Sequence, residues 1–185
     1  DYVSLEGLDH YRAALAAGKG AILLMAHFGN WEVLAARLAQ AFSIAAILRP
    51  LSSRVLQDHM TAIRRDKGIT LISKYGAGRP ALRLLQRGAS LCILPDRHAG
   101  QEGTLLPFFH KPTLFETAPA RIAVMSGAPI VPLFGVRRTP WLADGRIMGR
   151  FLPQFEVSAA SRADRERAVR QGSIDVIRAI EHRVR

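Results

Sequence analysis

The sequence predicts an α/β fold: a mainly parallel central sheet flanked by helices. Three observations lead there. Short apolar segments rich in β-branched and aliphatic residues alternate with stretches carrying apolar residues at helical spacing, the pattern of strand–helix–strand units. The 185 residues are 49% hydrophobic and 22% charged, enough apolar material for one domain with a real core. No internal repeat or low-complexity linker divides the chain, so residues 1–185 read as a single domain.

Taken in order, Leu8–Ala17 has helical periodicity, and Ala21–Ala26 is a continuous apolar run of strand length. Asn30 is a good N-cap for a helix over Trp31–Ala41. A strand at Ile44–Leu48 leads to a helix at Ser53–Lys67, then a strand at Ile69–Ser73 and a helix at Pro80–Arg87, with Pro80 in its first turn. Leu91–Leu94 and Ile130–Val136 read as further buried strands on either side of a helix at Thr117–Ser126. Arg146–Val157 suggests one or two more strands, and Ala163–Arg183 a long final helix. In that helix Val169, Ile174, Ile177, Ile180 and Val184 share one face. Its arginines are read as a solvated face or, alternatively, as a membrane-binding one.

Charge and cysteine content narrow the classes. Basic residues outnumber acidic ones 26 to 15, giving a net charge of +11. Such a surface attracts nucleic acid, anionic lipid headgroups or an acidic carrier protein, although an arginine-rich composition also serves solubility. No nucleic-acid motif accompanies the charge: there is no basic–aromatic repeat and no zinc spacing. The single cysteine, Cys92, excludes an internal disulfide framework and reads as core. No apolar run approaches the roughly 18–20 residues that span a bilayer.

The most informative stretch is LLMAHFGNWEVLAARLA, residues 23–39, where a strand becomes a helix. In open α/β sheets ligands bind at the carboxyl ends of the strands. His27 falls at such an end. Glu32 lies five residues on, in the first turn of the next helix, where the helix dipole favours a carboxylate. On one continuous helix the two side chains would diverge by about 140°. They can meet if His27 precedes the helix and Gly29 bends the chain back. Glu32 would then accept from one imidazole nitrogen and leave the other as a base. Backbone amides at the helix start would stabilise an oxyanion. The plainer alternative is a buried histidine beside a capping glutamate.

No nucleophile competes: no Gly-x-Ser-x-Gly elbow is present. A base at His27 would therefore activate a substrate hydroxyl. Arg49 and Asp96 each follow an apolar run and would reach the same sheet edge, as an ion pair or with Arg49 gripping an anionic substrate. Gly76-x-Gly78-x-x-Ala81 with Asp96 twenty residues on fits a dinucleotide fingerprint, or simply a flexible turn into a helix. The aromatics around Phe108, Phe109 and Phe115 suggest a core lid or a slot for an alkyl chain. His59, His98 and His110 lack metal-ligand spacing, so no metal is expected.

Taken together, AHFGNWE, LRP, RPALRLLQRGASLCILPDR and PFFHKP…TAPARIAVMSGAPIVPLFGVR resemble, in order, the bacterial lipid A late acyltransferases over about residues 5–138. Those enzymes carry a His-x4-Glu signature within a wider glycerolipid acyltransferase-like group. The resemblance implies that fold, with His27 as general base and Glu32 as its orienter. Gly29, Asn30, Arg49, Asp96 and Arg97 would line the substrate site. An acyl carrier protein or coenzyme A thioester would donate the acyl chain to a hydroxyl of an anionic glycolipid or phospholipid, with no cofactor. The resemblance also implies work at the cytoplasmic face of the bacterial inner membrane, with the family's N-terminal membrane-anchoring part and C-terminal tail outside this chain. Three positions depart from the pattern. Arg97-His98 stands where a glutamine and an acidic residue are usual, and His110 where glycine is usual.

Overall fold

The computed structural model describes residues 2–137 and 146–184. In chain order the strands are β1 (Val3–Glu6), β2 (Ala21–Leu24), β3 (Ile44–Leu48), β4 (Thr70–Ser73), β5 (Ser90–Ile93), β6 (Thr104–Phe108), β7 (Lys111–Phe115), β8 (Ile130–Arg137) and β9 (Ile147–Phe151). The helices are α1 (Leu8–Ala16), α2 (Trp31–Ala39), α3 (Arg54–Asp66), α4 (Gly78–Gln86), α5 (Ala118–Ser126) and α6 (Arg165–Val184).

Seven strands form one sheet in the order β1-β9-β8-β2-β5-β3-β4, and β6 and β7 form a separate hairpin. β8, β2, β5, β3 and β4 run parallel, while β9 is antiparallel to β8 and carries β1 parallel to itself. The expected mainly parallel sheet is therefore present, extended by two strands running the other way.

Strand alternation builds a core on each face. Ile22 and Leu24 point to one side with Leu91 and Ile93, beneath Ala81 and Leu85 of α4, Ala120 and Ala123 of α5, and Val176 and Ile180 of α6. Ala21 and Leu23 point to the other side with Cys92, beneath Tyr11 of α1 and Leu34 and Leu38 of α2. All four residues of β2 are fully buried. Removing a leucine side chain such as Leu23 from water contributes about 1.5–3 kcal/mol. Cys92 is core, as expected, and burial pushes its thiol up to about 12. The final helix buries Val169, Ile177 and Ile180, with Ile174 half-buried; the side chain of Val184 lies outside the described residues.

Two open readings are narrowed. Arg146–Val157 holds one strand, β9, plus a single bridge from Phe155 to Ile130. The Phe-rich connection is the β6–β7 hairpin, whose two-residue turn places Phe109 and His110 at φ 49° and 62°. Phe108 packs on Phe115 at 5.5 Å and on Phe109 at 4.7 Å, and Phe115 is buried. Phe108 thus packs between Phe109 and Phe115.

Candidate active site

Strand order makes the site. β5 lies between β2 and β3, with Leu24 opposite Ile93 and Ala46 opposite Cys92. Parallel strands present their carboxyl ends together, so the segments after β2, β5 and β3 share one edge. His27, Asp96 and Arg49 follow those three strands.

At that edge His27 Nδ1 lies 2.7 Å from Asp96 Oδ1, and the His27 backbone N–H donates to Asp96 Oδ2 at 2.7 Å. One carboxylate thus holds both the ring and the backbone of the histidine. A carboxylate only accepts, so Nδ1 carries a proton, and in the neutral ring Nε2 keeps its lone pair. The imidazole is 38% exposed and Asp96 14%. Burial acts to raise the Asp96 pKa, but the side-chain and backbone hydrogen bonds from His27 and the imidazole charge outweigh it. The carboxyl is held below its ordinary range.

The expected orienter, Glu32, makes a different contact. Its two carboxylate oxygens take Nε (3.1 Å) and Nη2 of Arg64, a fork-to-fork pair. The reason is geometric. Glu32 sits in the first turn of α2 and faces α3, whereas Asp96 follows β5, the strand hydrogen-bonded beside β2. Sequence reasoning missed Arg64, which lies 32 residues from Glu32 on a helix of which no residue is fully buried. Arg64 also stands over the Trp31 ring at 5.7 Å, and Trp31 meets His27 edge to face at 6.2 Å. The Glu32–Arg64 pair therefore braces the ring beside the imidazole.

The turn between His27 and α2 forms as expected. Asn30 caps α2, its side chain accepting from the Val33 N–H at 3.2 Å. The Trp31 and Glu32 amides, at the helix start, have no intrahelical acceptor. Gly29 takes φ 69°, and a Cβ there would overlap the Gly135 carbonyl oxygen of β8. Only glycine fits both demands. Phe28 stacks on Phe134 at 5.3 Å, anchoring the other side of the turn.

Arg49 forms no ion pair with Asp96, whose oxygens serve His27. Among the described residues it pairs with no carboxylate, and it lines a cleft with Lys74, Tyr75 and His98. Arg97 is exposed, without an ion pair among the described residues. Asp96, the acidic residue of the dinucleotide pattern, contacts His27. Gly76 lies in an open turn before α4.

The fold thus sets a half-exposed histidine, held by a carboxylate, at the carboxyl edge of a parallel sheet on an α/β scaffold. The chain belongs to the bacterial lipid A biosynthesis acyltransferase family, whose model matches residues 1–168. It is 31% identical over 131 residues to the phosphatidylinositol mannoside acyltransferase of Mycobacterium tuberculosis, covering 68% of this chain and 42% of that protein. The phosphatidylinositol mannoside acyltransferase of Mycolicibacterium smegmatis is 28% identical over 134 residues, covering 68% and 43%. The chain thus spans less than half the length of these relatives.

Proposed function

We propose that the chain is the catalytic core of an O-acyltransferase that moves a fatty acyl group from a thioester to a hydroxyl of a membrane glycolipid. The observation that carries this reading is the His27 Nδ1–Asp96 contact at 2.7 Å on a half-exposed imidazole, which in the neutral ring leaves Nε2 as the base. Nε2 takes the proton of the acceptor hydroxyl as its oxygen attacks the thioester carbonyl. Asp96 stabilises the imidazolium that forms. The tetrahedral intermediate collapses, the carbon–sulfur bond breaks, and the proton passes from Nε2 to the departing thiolate. No cofactor enters this scheme. Glu32 acts at one remove: with Arg64 it holds Trp31 and the start of α2, whose amides face developing negative charge. Gly29 and Asn30 shape that turn, and Arg49 and Arg97 supply positive charge for the substrates.

The relatives' names favour a phosphatidylinositol mannoside as acceptor, and the family's name a lipid A precursor. The net charge of +11 suits an acidic acyl carrier protein as donor and the anionic cytoplasmic face of an inner membrane as the place of work. Among the described residues no helix is long and apolar enough to cross a membrane.

The test is transfer itself. The chain is incubated with palmitoyl carrier protein or palmitoyl-coenzyme A and with each acceptor in vesicles, and the lipids are read by mass spectrometry. A glycolipid heavier by one acyl chain, absent with His27→Ala, is the expected outcome. Product persisting with His27→Ala refutes the base. A folded chain that binds vesicles or carrier protein yet transfers nothing is a binding module instead.

A further inference from the structure

A cleft of about 420 Å³ is lined by Arg49, Lys74, Tyr75, His98 and Glu102 with residues 99–101, its His98 two residues on from Asp96. Its size falls within the range of small-ligand sites, and three basic side chains, Arg49, Lys74 and His98, line it. His27 follows β2 and Arg49 follows β3, on either side of β5. Their backbones therefore lie about two strand spacings apart, roughly 10 Å.

The charges in the cleft have distinct states. Lys74 Nζ is engaged by Glu116 at 3.2 Å and Glu102 at 3.6 Å, so it braces the wall and neutralises the one carboxylate there. Arg49 has no carboxylate partner among the described residues. His98 Nδ1 accepts the Gly100 backbone N–H at 3.1 Å, which leaves Nε2 as the protonated nitrogen, a donor. An unpaired guanidinium and an imidazole N–H on one concave surface form a receptor for a tetrahedral oxyanion.

We propose that this cleft is a phosphate-ester subsite in which Arg49 and His98 hold the phosphate of a substrate while its reacting group sits at His27. The inference rests on the acyl-transfer reading and specifies what one substrate must carry. Two sources fit the same chemistry: the phosphodiester of an acceptor lipid headgroup, and the phosphate of the donor's pantetheine arm. His98, one of the two positions that depart from the family pattern after Asp96, acquires a role here as a phosphate ligand.

The experiment is titration calorimetry of the chain with glycerophosphoinositol, coenzyme A and, as the uncharged control, inositol. Wild type is compared with Arg49→Gln and His98→Gln, both exposed positions whose replacement leaves the core untouched. At least one phosphate ester is expected to bind and inositol not. Arg49→Gln should weaken binding about tenfold or more, and His98→Gln severalfold, as for loss of charge-assisted bonds. Loss confined to glycerophosphoinositol assigns the acceptor, and loss confined to coenzyme A assigns the donor. Equal affinity in all three proteins, equal binding of inositol, or no binding of either ester overturns the subsite. Binding is read without turnover, so the two readings separate. Esters that bind in an Arg49-dependent way without any transfer refute the acyltransferase and spare the subsite; transfer with a KM unchanged by Arg49→Gln does the reverse.

Discussion

Asp96→Asn is the sharpest perturbation of the proposed chemistry, and its size follows from the two bonds the carboxylate makes. Both are donated by one residue: the His27 backbone N–H to Oδ2 and the ring Nδ1–H to Oδ1, each at 2.7 Å. Asparagine is nearly isosteric but offers one acceptor and one donor. If its oxygen keeps the backbone N–H, its NH2 group faces Nδ1. The imidazole proton must then move to Nε2, where no base remains. The reverse orientation sets two donors face to face in a mostly buried place, at a cost of about 1–3 kcal/mol. Positioned bases contribute about 10²–10⁴ in rate, so Asp96→Asn should lower kcat/KM by about 10³, near 4 kcal/mol of transition-state stabilisation. The assay is thioester-dependent transfer to glycolipid, with folding checked by circular dichroism. Glu32→Gln, run in parallel, should cost less, because it weakens the Arg64 pair without touching His27. Asp96→Asn retaining more than a tenth of wild-type activity, or Glu32→Gln costing as much, would falsify the assignment of Asp96 as orienter.

Three further outcomes concern stability. The Asp96 carboxyl is depressed in the folded state relative to about 3.9 in the unfolded chain, so its contribution is present above that value and lost as pH falls through the folded-state pKa. Urea midpoints from pH 6 to pH 3 should therefore drop further for wild type than for Asp96→Asn; parallel curves would contradict the linkage. Gly29→Ala combines a left-handed backbone cost with overlap on the Gly135 carbonyl, and should lower unfolding free energy by about 3 kcal/mol in urea titration. A loss under half that would mean that the turn relaxes easily. At the hairpin turn His110 holds φ 62°, so His110→Gly should melt higher than His110→Val, by about 1–2 kcal/mol in stability. The opposite order would place the strain elsewhere.

Most of the scaffold was legible in the residues. The alternation of buried apolar runs with helical periods is a local signal, and it located β2, β3, β4, β5 and β8. The placing of His27 at a strand end and of Asn30 as a cap followed from the same local chemistry. What local chemistry does not encode is lateral strand order. Asp96 reaches His27 because β5 lies between β2 and β3, a long-range choice that no spacing along the chain expresses. Glu32 looked the better partner because it is near in sequence, yet the first turn of α2 aims it at Arg64. Strand β1 was missed because four residues at the chain's start carry too little periodicity. The hairpin was hidden by its turn, where Phe109-His110 replaces the glycine-rich pair that positive φ normally demands. The departure at His110 marked that place before the hairpin was visible.

The account turns on which carboxylate sets the histidine, and ¹⁵N chemical shifts of the His27 ring test that without requiring turnover. In labelled wild-type chain near neutral pH the neutral ring should be protonated at Nδ1, with Nε2 showing the shift of an unprotonated nitrogen. Asp96→Asn should move the proton to Nε2, and Glu32→Gln should leave the wild-type pattern in place. A ring already protonated at Nε2 in wild type, or one whose tautomer follows Glu32 and ignores Asp96, would contradict the account.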